Sequence, residues 1–104
     1  MMGQWVRVAK ASAIPKGSVI GVQVGERDIA LYHLQDGTFC ATDNVCTHEF
    51  ARLSEGWLEG EEIECPLHAG RFDVRTGEAL CEPVVKDLEV YEVRQEGDDL
   101  LVEI

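Results

Sequence analysis

Short strand-like runs of apolar residues mark both ends of this chain. The runs WVRVA (5–9), SVIGVQV (18–24) and IALYHL (29–34) are rich in β-branched and aromatic residues, which favour strands over helices. No long stretch repeats its apolar residues at the helical period of 3.6, although EFARLSEG (49–56) is compatible with one short helical turn. The pattern therefore predicts an all-β protein.

Two turn signals predict how some of these strands pair. Asp36-Gly37 separates ALYHL from TFCAT, a combination typical of a β-hairpin. Near the end of the chain, LEVYEV (88–93) and LLVEI (100–104) flank a turn that contains Gly97, which predicts a second hairpin. Alternation along this second hairpin turns three apolar side chains toward the core: Leu88, Val90 and Val93.

The middle of the chain differs from its ends. Residues 44–72 include three glycines and a proline, which allow loops that regular strands do not. At 104 residues the chain has the common size of one domain. We therefore predict a single domain over 1–104, with a β scaffold from about 1–43 and 73–104 and a loop-built site inserted at about 44–72.

Charge and hydropathy exclude several classes of partner. Twenty acidic residues against nine basic ones give a net charge of −11, which would repel nucleic acid and anionic membranes. No apolar run approaches the ~20 residues of a membrane-spanning helix, and the first residues lack the apolar core of a signal peptide. We expect a cytoplasmic protein whose acidic surface either keeps it soluble or steers it toward a basic partner.

Two mixed Cys–His pairs carry the candidate chemistry. The first is Cys46-x-His48 and the second is Cys65-x-x-His68. Cytosolic thiols stay reduced, so metal or redox chemistry is favoured over disulfides. Chance and a structural zinc site are two explanations, but zinc fingers usually present a cysteine pair first and a histidine pair second. A [2Fe–2S] cluster in which two histidines replace two cysteines on one iron accounts for both mixed arms.

The sequence around these arms resembles one protein family closely. CTH and CPLH, within ATDNVCTHEFARLSEGWLEGEEIECPLHAGRFDVRTGEALCEPV, are similar to the soluble Rieske ferredoxins of bacterial aromatic-ring-hydroxylating dioxygenase systems, such as those for biphenyl or naphthalene. The resemblance implies a Rieske fold, in which antiparallel sheets support a small cluster-binding subdomain. It also implies one Rieske-type [2Fe–2S] cluster per chain, with Cys46 and Cys65 on one iron and His48 and His68 on the other.

The resemblance also implies a function. The chain would be a soluble, monomeric one-electron carrier that accepts electrons from a flavin-dependent NAD(P)H reductase and delivers them to a terminal Rieske oxygenase. It would be a component of the system rather than an enzyme, because a ring-hydroxylating oxygenase needs a further mononuclear iron and only His33 is left to bind it. The small Rieske-like subunit of an assimilatory nitrite reductase is an alternative.

Four positions distinguish this chain from respiratory Rieske proteins. Ala51 and Leu67 stand where those proteins carry an extra pair of cysteines, which form a disulfide between the loops. Gly70 and Phe72 stand where they carry hydroxyl donors to the cluster sulfurs. Because such hydrogen bonds stabilise the reduced state, we predict a potential toward the bottom of the Rieske range, about −150 mV.

Other residues carry simpler expectations. Trp57 is expected to pack between the two arms, with a role in docking as the alternative. Cys40 and Cys81 are expected to be unpaired core thiols. His33 is expected to be structural. The tripeptide Glu82-Pro83-Val84 resembles the family's third loop, which shields the cluster from water, and an ordinary turn is the alternative.

Overall fold

The computed structural model describes residues 3–47, 51–67, 70–81 and 86–104, which are organised almost entirely as β-strands. The strands of this described part are β1 (Trp5–Lys10), β2 (Ser18–Val24), β3 (Arg27–His33), β4 (Phe39–Asp43), β5 (Trp57–Glu59), β6 (Glu62–Glu64), β7 (Arg71–Asp73), β8 (Val90–Tyr91), β9 (Val93–Glu96) and β10 (Asp99–Glu103). Two short 3-10 helices lie at Ala11–Ala13 and Leu53–Glu55. The all-β prediction is confirmed, and none of the described helices is long and apolar enough to cross a membrane.

The strands form three antiparallel sheets. The first has the order β1-β10-β9, the second β2-β3-β4-β8, and the third, which is small, β5-β6-β7. The small sheet lies within the segment that the sequence sets apart from the two ends of the chain, except for Asp73 at the end of β7. The other two sheets are built from strands that precede and follow that segment.

The predicted hairpin at Asp36-Gly37 is confirmed. It joins β3 to β4, and the register places Tyr32 opposite Cys40. Gly37 has a φ of +93°, a conformation that glycine adopts without a steric penalty. The Asp36 carboxylate accepts a hydrogen bond of 2.9 Å from the Thr38 amide, which stabilises the turn.

The predicted hairpin near the end of the chain is only partly correct. Strands β9 and β10 do pair around Gly97, but β8 pairs with β4 in the four-stranded sheet instead. The chain changes sheets at Glu92, which shifts the alternation of buried and exposed side chains. Val90 is therefore 42% exposed, contrary to expectation, and its neighbour Tyr91 is buried, whereas Leu88 is buried as predicted.

Strand β3 is buried on both faces and separates two apolar clusters. Ile29 and Leu31 point to one face, into a cluster that includes side chains of β10. Ala30 and Tyr32 point to the other face, into the cluster that also contains both candidate cysteine ligands. Because successive side chains of a strand alternate between faces, one strand connects the main sheets to the site.

Candidate functional site

The first arm, residues 44–54, is a loop whose described neck is closed by backbone hydrogen bonds. The Cys46 amide donates to the carbonyl of Ala51 at 2.8 Å, and the Leu53 amide donates to the carbonyl of Asn44 at 2.7 Å. Val45 and Arg52 form an isolated antiparallel bridge between the two bonds. The Cys46 side chain, with its residue only 4% exposed, is thereby fixed at the inner end of the loop.

The second arm, residues 64–71, is carried by the β6–β7 hairpin. Glu64 and Arg71 are paired at its base, and the Cys65 amide donates to the carbonyl of Gly70 at 2.8 Å. Cys65 is only 1% exposed. In both arms, then, the cysteine amide binds the carbonyl five residues further on, so the two loops present their cysteines with the same backbone closure.

Both candidate cysteine ligands enter one buried apolar cluster. Cys46 and Cys65 share it with Tyr32, Ile63 and Phe72, among other residues. Thiolates are the form in which cysteine binds metal, and an apolar shell limits the access of water to such a site. Two cysteines brought by two loops into one apolar region therefore fit the thiolate half of a [2Fe–2S] centre. His48 and His68 lie outside the described residues.

The base of the first arm is attached to β3 by a buried polar network. The Asn44 amide nitrogen Nδ2 donates to Asp28 Oδ1 at 3.0 Å and to Ser54 Oγ at 2.9 Å. Asn44 Oδ1 accepts from the Ser54 backbone amide at 2.7 Å. Asp28 Oδ2 in turn accepts from Arg52 Nε at 2.9 Å. The strand and both sides of the arm are thus joined through side chains.

The base of the second arm is held by ion pairs nearer the surface. Arg71 donates to Glu64 at 2.9 Å, to Glu59 at 2.9 Å and to Glu62 at 3.3 Å, which joins all three strands of the small sheet. The hydrogen bonds that Arg71 donates to Glu59 and Glu62, ahead of the one to Glu64, raise the pKa of Arg71 above its ordinary value. The guanidinium is therefore the charge that compensates a cluster of carboxylates beside Cys65.

The chain that leaves the first arm passes close to the second arm at Gly56. A Cβ atom at this position would overlap the backbone carbonyl of Glu64 and lie 3.2 Å from Pro66 Cδ. This carbonyl oxygen belongs to the backbone of β6, so it cannot turn aside as the end of a flexible side chain could. A residue without a side chain is needed here for the chain leaving the first arm to pass the second.

A side-chain hydrogen bond joins the first arm to the C-terminal part of the chain. The Thr47 hydroxyl, between the cysteine and the histidine of the first motif, donates to the carbonyl of Lys86 at 2.7 Å. The tripeptide Glu82-Pro83-Val84, expected to form a third loop, lies outside the described residues. The bond shows that Lys86, two residues beyond this tripeptide, reaches the first arm.

The expectation for Trp57 is wrong. Its side chain is not packed between the arms, since the residue is 60% exposed. Trp57 begins β5, the edge strand of the small sheet, and lies opposite Glu64. Alternation turns its neighbour Leu58 toward the buried cluster and leaves Trp57 on the outer face.

Cys81 also departs from expectation, whereas His33 follows it. Cys81 is exposed rather than in the core; Cys40 is half-buried, and burial raises the pKa of its thiol. His33 Nδ1 lies 2.6 Å from the carbonyl oxygen of Ile14, and its ring stacks on Phe39 at 4.0 Å. These contacts account for His33 as a structural residue of the scaffold.

Comparison with known proteins agrees with this geometry. Residues 4–92 match the Rieske [2Fe-2S] domain family. The chain is 54% identical, over 93% of its length and 92% of the relative's, to the ferredoxin component of the naphthalene 1,2-dioxygenase/salicylate 5-hydroxylase systems of a Ralstonia species. It is 48% identical, over 100% of its length and 99% of the relative's, to the ferredoxin component of the naphthalene 1,2-dioxygenase system of Pseudomonas aeruginosa.

A solved structure extends the likeness to three dimensions. The chain matches a chain in the complex of reduced oxygenase and oxidized ferredoxin of carbazole 1,9a-dioxygenase with a TM-score of 0.88 and 39% identity, covering 95% of this chain and 92% of that one. The family match also decides between the two metal centres that the Cys–His pairs allow, in favour of a Rieske-type [2Fe–2S] cluster over zinc. The chain therefore belongs to the Rieske [2Fe–2S] family and, like these relatives, is a ferredoxin-type electron carrier.

Proposed function

We propose that this chain carries electrons, one at a time, from a flavin-dependent NAD(P)H reductase to the terminal oxygenase of an aromatic-ring-hydroxylating system. The observation that carries the proposal is the pair of equally closed loops that bring Cys46 and Cys65 into one apolar cluster. The dioxygenase systems named for its relatives support this direction of electron flow over a place in a nitrite reductase.

The proposed ligands are the four residues of the two motifs. Cys46 and Cys65 would hold one iron, and His48 and His68 the other. The bound cluster supplies a reversible one-electron couple. Two neutral imidazoles in place of two thiolates make the centre less negative, so an electron is added more easily than to an all-thiolate cluster. The chain's own residues bind the cluster and limit the access of water to its thiolate side.

The remaining parts of the proposal concern partners, location and domain limits. The net charge of −11 favours encounter with basic surfaces of the two partner proteins at low ionic strength. A monomer in the cytoplasm is consistent with a carrier that must bind two partners in turn. The limits of the cluster-binding subdomain at about 44 and 72 are supported by the position of the β5-β6-β7 sheet.

The experiment that tests the proposal reconstitutes the electron path. The purified chain is combined with the reductase and oxygenase components of the Pseudomonas aeruginosa naphthalene 1,2-dioxygenase system, and NADH-dependent oxidation of naphthalene is measured. We expect oxidation to require this chain. Cys65→Ser should lose the cluster and the activity, whereas the matched control Cys40→Ser should keep both. Equal loss in both variants, or no electron delivery by the wild-type chain, would contradict the proposal.

Redox titration tests the assignment of the histidines and of the missing hydroxyl donors. The wild-type midpoint is expected near the lower Rieske limit of about −150 mV, because Gly70 and Phe72 offer no hydroxyl. If His68→Cys binds a cluster at all, it should move the midpoint toward about −400 mV, the value of plant-type ferredoxins. His33→Gln is the control and should leave the midpoint unchanged. A wild-type midpoint well above 0 mV would refute the inference from the missing donors.

A further inference from the structure

Asn44 is a completely buried polar residue at the entrance to the first arm. The residue is 0% exposed, and its side chain makes the three hydrogen bonds to Asp28 and Ser54 described above. Its backbone makes two more, since the Asn44 amide donates to the carbonyl of Asp28 at 2.8 Å and its carbonyl accepts from Leu53. One residue therefore contacts β3 and the far side of the arm simultaneously.

Strand β2 packs closely against this network on one side. Gly21 of β2 lies against it, and a Cβ atom at Gly21 would come within 2.9 Å of Asn44 Nδ2 and 3.0 Å of Ser54 Oγ. Within the described part of the chain, no buried side-chain nitrogen or oxygen lacks a hydrogen-bond partner. A fully satisfied polar network in a close-packed setting has one preferred arrangement, because each displaced group would lose its partner.

We propose that Asn44 is the positioning residue of the first arm, holding both sides of the loop against β3 so that Cys46 is presented in one orientation. The inference rests on the proposed role of Cys46 as an iron ligand. Asn44 does not touch the metal in this scheme. Its backbone lies two residues before Cys46 on one side of the loop. Its side chain binds Ser54 on the other side of the loop. Removing its amide would take one partner from Asp28, which would keep Arg52, and would leave the Ser54 backbone amide without its acceptor, so local opening of the loop would be favoured.

Hydrogen exchange followed by mass spectrometry on the iron-loaded protein tests the proposal. In Asn44→Ala, amide exchange in the first arm should accelerate at least about tenfold, because several buried hydrogen bonds are lost together. Exchange in the second arm should change much less. The matched control is Thr42→Val, which removes a completely buried hydroxyl from β4, where it is bonded to Tyr32 and to the Asp43 carbonyl. Equal acceleration in both variants would overturn the proposal.

A rescue variant separates positioning from a general loss of stability. Asn44→Asp alone places a carboxylate against Asp28 and should open the arm. The double variant Asp28→Asn with Asn44→Asp reverses donor and acceptor in the hydrogen bond between positions 28 and 44 and keeps the net charge. It also leaves an amide oxygen at position 28 to accept from Arg52. It should restore slow exchange. Failure of the double variant to improve on Asn44→Asp would contradict the assigned contacts.

The reduction potential gives a readout that a purely structural role would not move. The midpoint and the electron paramagnetic resonance g values should shift in Asn44→Ala and remain at wild-type values in Ser12→Ala, which removes a side-chain hydrogen bond to Asp98. If Asn44→Ala cannot be isolated, Ser54→Ala removes one contact of the same network and should show a smaller shift in the same direction. Unchanged midpoint and g values in the Asn44 or Ser54 variant would overturn the proposal. Neither measurement uses a reductase or an oxygenase, so failed electron delivery would refute only the proposed function.

Discussion

The two arms present their cysteines in the same way but are supported differently. Each has a cysteine amide bonded to the carbonyl five residues ahead. The first arm, however, is attached to β3 of the main scaffold through the buried side chain of Asn44. The second arm extends from its own small sheet, where Arg71 holds three carboxylates nearer the surface. The same backbone closure at the two cysteines is thus obtained from two unlike supports.

Because their supports differ, the two arms should respond to different perturbations. Buried hydrogen bonds are insensitive to salt but costly to leave unsatisfied, by about 1–3 kcal/mol for each unpaired group. Ion pairs near the surface contribute less and are screened by salt. Mutations in the interior should therefore affect the first arm most, and changes of ionic strength the second.

The largest effect is expected where the chain that leaves the first arm passes close to the second arm. Gly56→Ala would drive a methyl group into the Glu64 carbonyl, and because the obstacle is backbone we expect a loss of about 3 kcal/mol in the free energy of unfolding. Urea titration followed by cluster absorbance measures the loss. Gly60→Ala is the matched control, since its φ of +61° is unfavourable for alanine but a Cβ atom there meets nothing within 4 Å. Its cost should be about 1–2 kcal/mol, and equal losses would refute a special contact at Gly56.

Salt should distinguish the arms without any mutation. Raising NaCl from about 0.05 M to about 1 M shortens the screening length several-fold and should accelerate amide exchange in the second arm. The first arm should change less, because the ion pair between Arg52 and Asp28 is backed there by the hydrogen bonds of the buried Asn44 side chain. Hydrogen exchange of both arms in one sample measures the contrast. Arg71→Gln should exchange fast in the second arm at both salt concentrations, because the ion pairs are already lost. A salt response confined to the first arm would reverse the comparison.

A smaller effect is expected from alkaline pH. The Tyr91 hydroxyl donates to Asp43, next to the first arm, at 2.6 Å, and burial followed by this hydrogen bond raises the pKa of Tyr91 to about 12. The folded state therefore keeps the phenol protonated where the unfolded chain, with a pKa of about 10, does not. The contribution of this pKa difference to stability is fully present below about pH 10 and is lost between about pH 10 and 12.

Tyr91→Phe tests this pH dependence. The variant should lose less stability than the wild type between about pH 9 and about pH 11, measured as the urea midpoint by circular dichroism. Some dependence should remain, because burial also raises the pKa of Tyr32. Identical pH profiles for the variant and the wild type would show that the raised pKa of Tyr91 does not contribute to stability.

The strands and the location of the candidate site could be predicted from the sequence because both depend on local patterns. Alternating β-branched residues identified β1 to β3, and Asp36-Gly37 identified a hairpin, through short-range conformational preferences. The spacing within the two Cys–His motifs indicated paired metal-binding loops, and Cys46 and Cys65 do meet in one cluster.

What could not be predicted depends on contacts between distant residues. Nothing near Val90 indicates that the chain changes sheets at Glu92. The sequence therefore predicts that Val90 is buried, whereas the structure buries Tyr91 instead. The sequence predicts that Trp57 packs between the arms, but an edge strand places it outside. Asn44 was missed because a single asparagine before a motif is an ordinary loop residue. Only the proximity of Asp28 and Ser54 makes this residue a structural connection. The signal available in the sequence was its place two residues before Cys46.

The pairing of Gln4 with Ile104 has a consequence for how this fold can be joined to other chains. Each residue's amide donates to the other's carbonyl at 2.9 Å, so the two positions lie side by side as neighbouring strands do, about 4.8 Å apart. A host polypeptide could therefore enter and leave through adjacent points, with no long connection needed to span the module. Such proximity permits insertion as a cassette or circular permutation with a short linker.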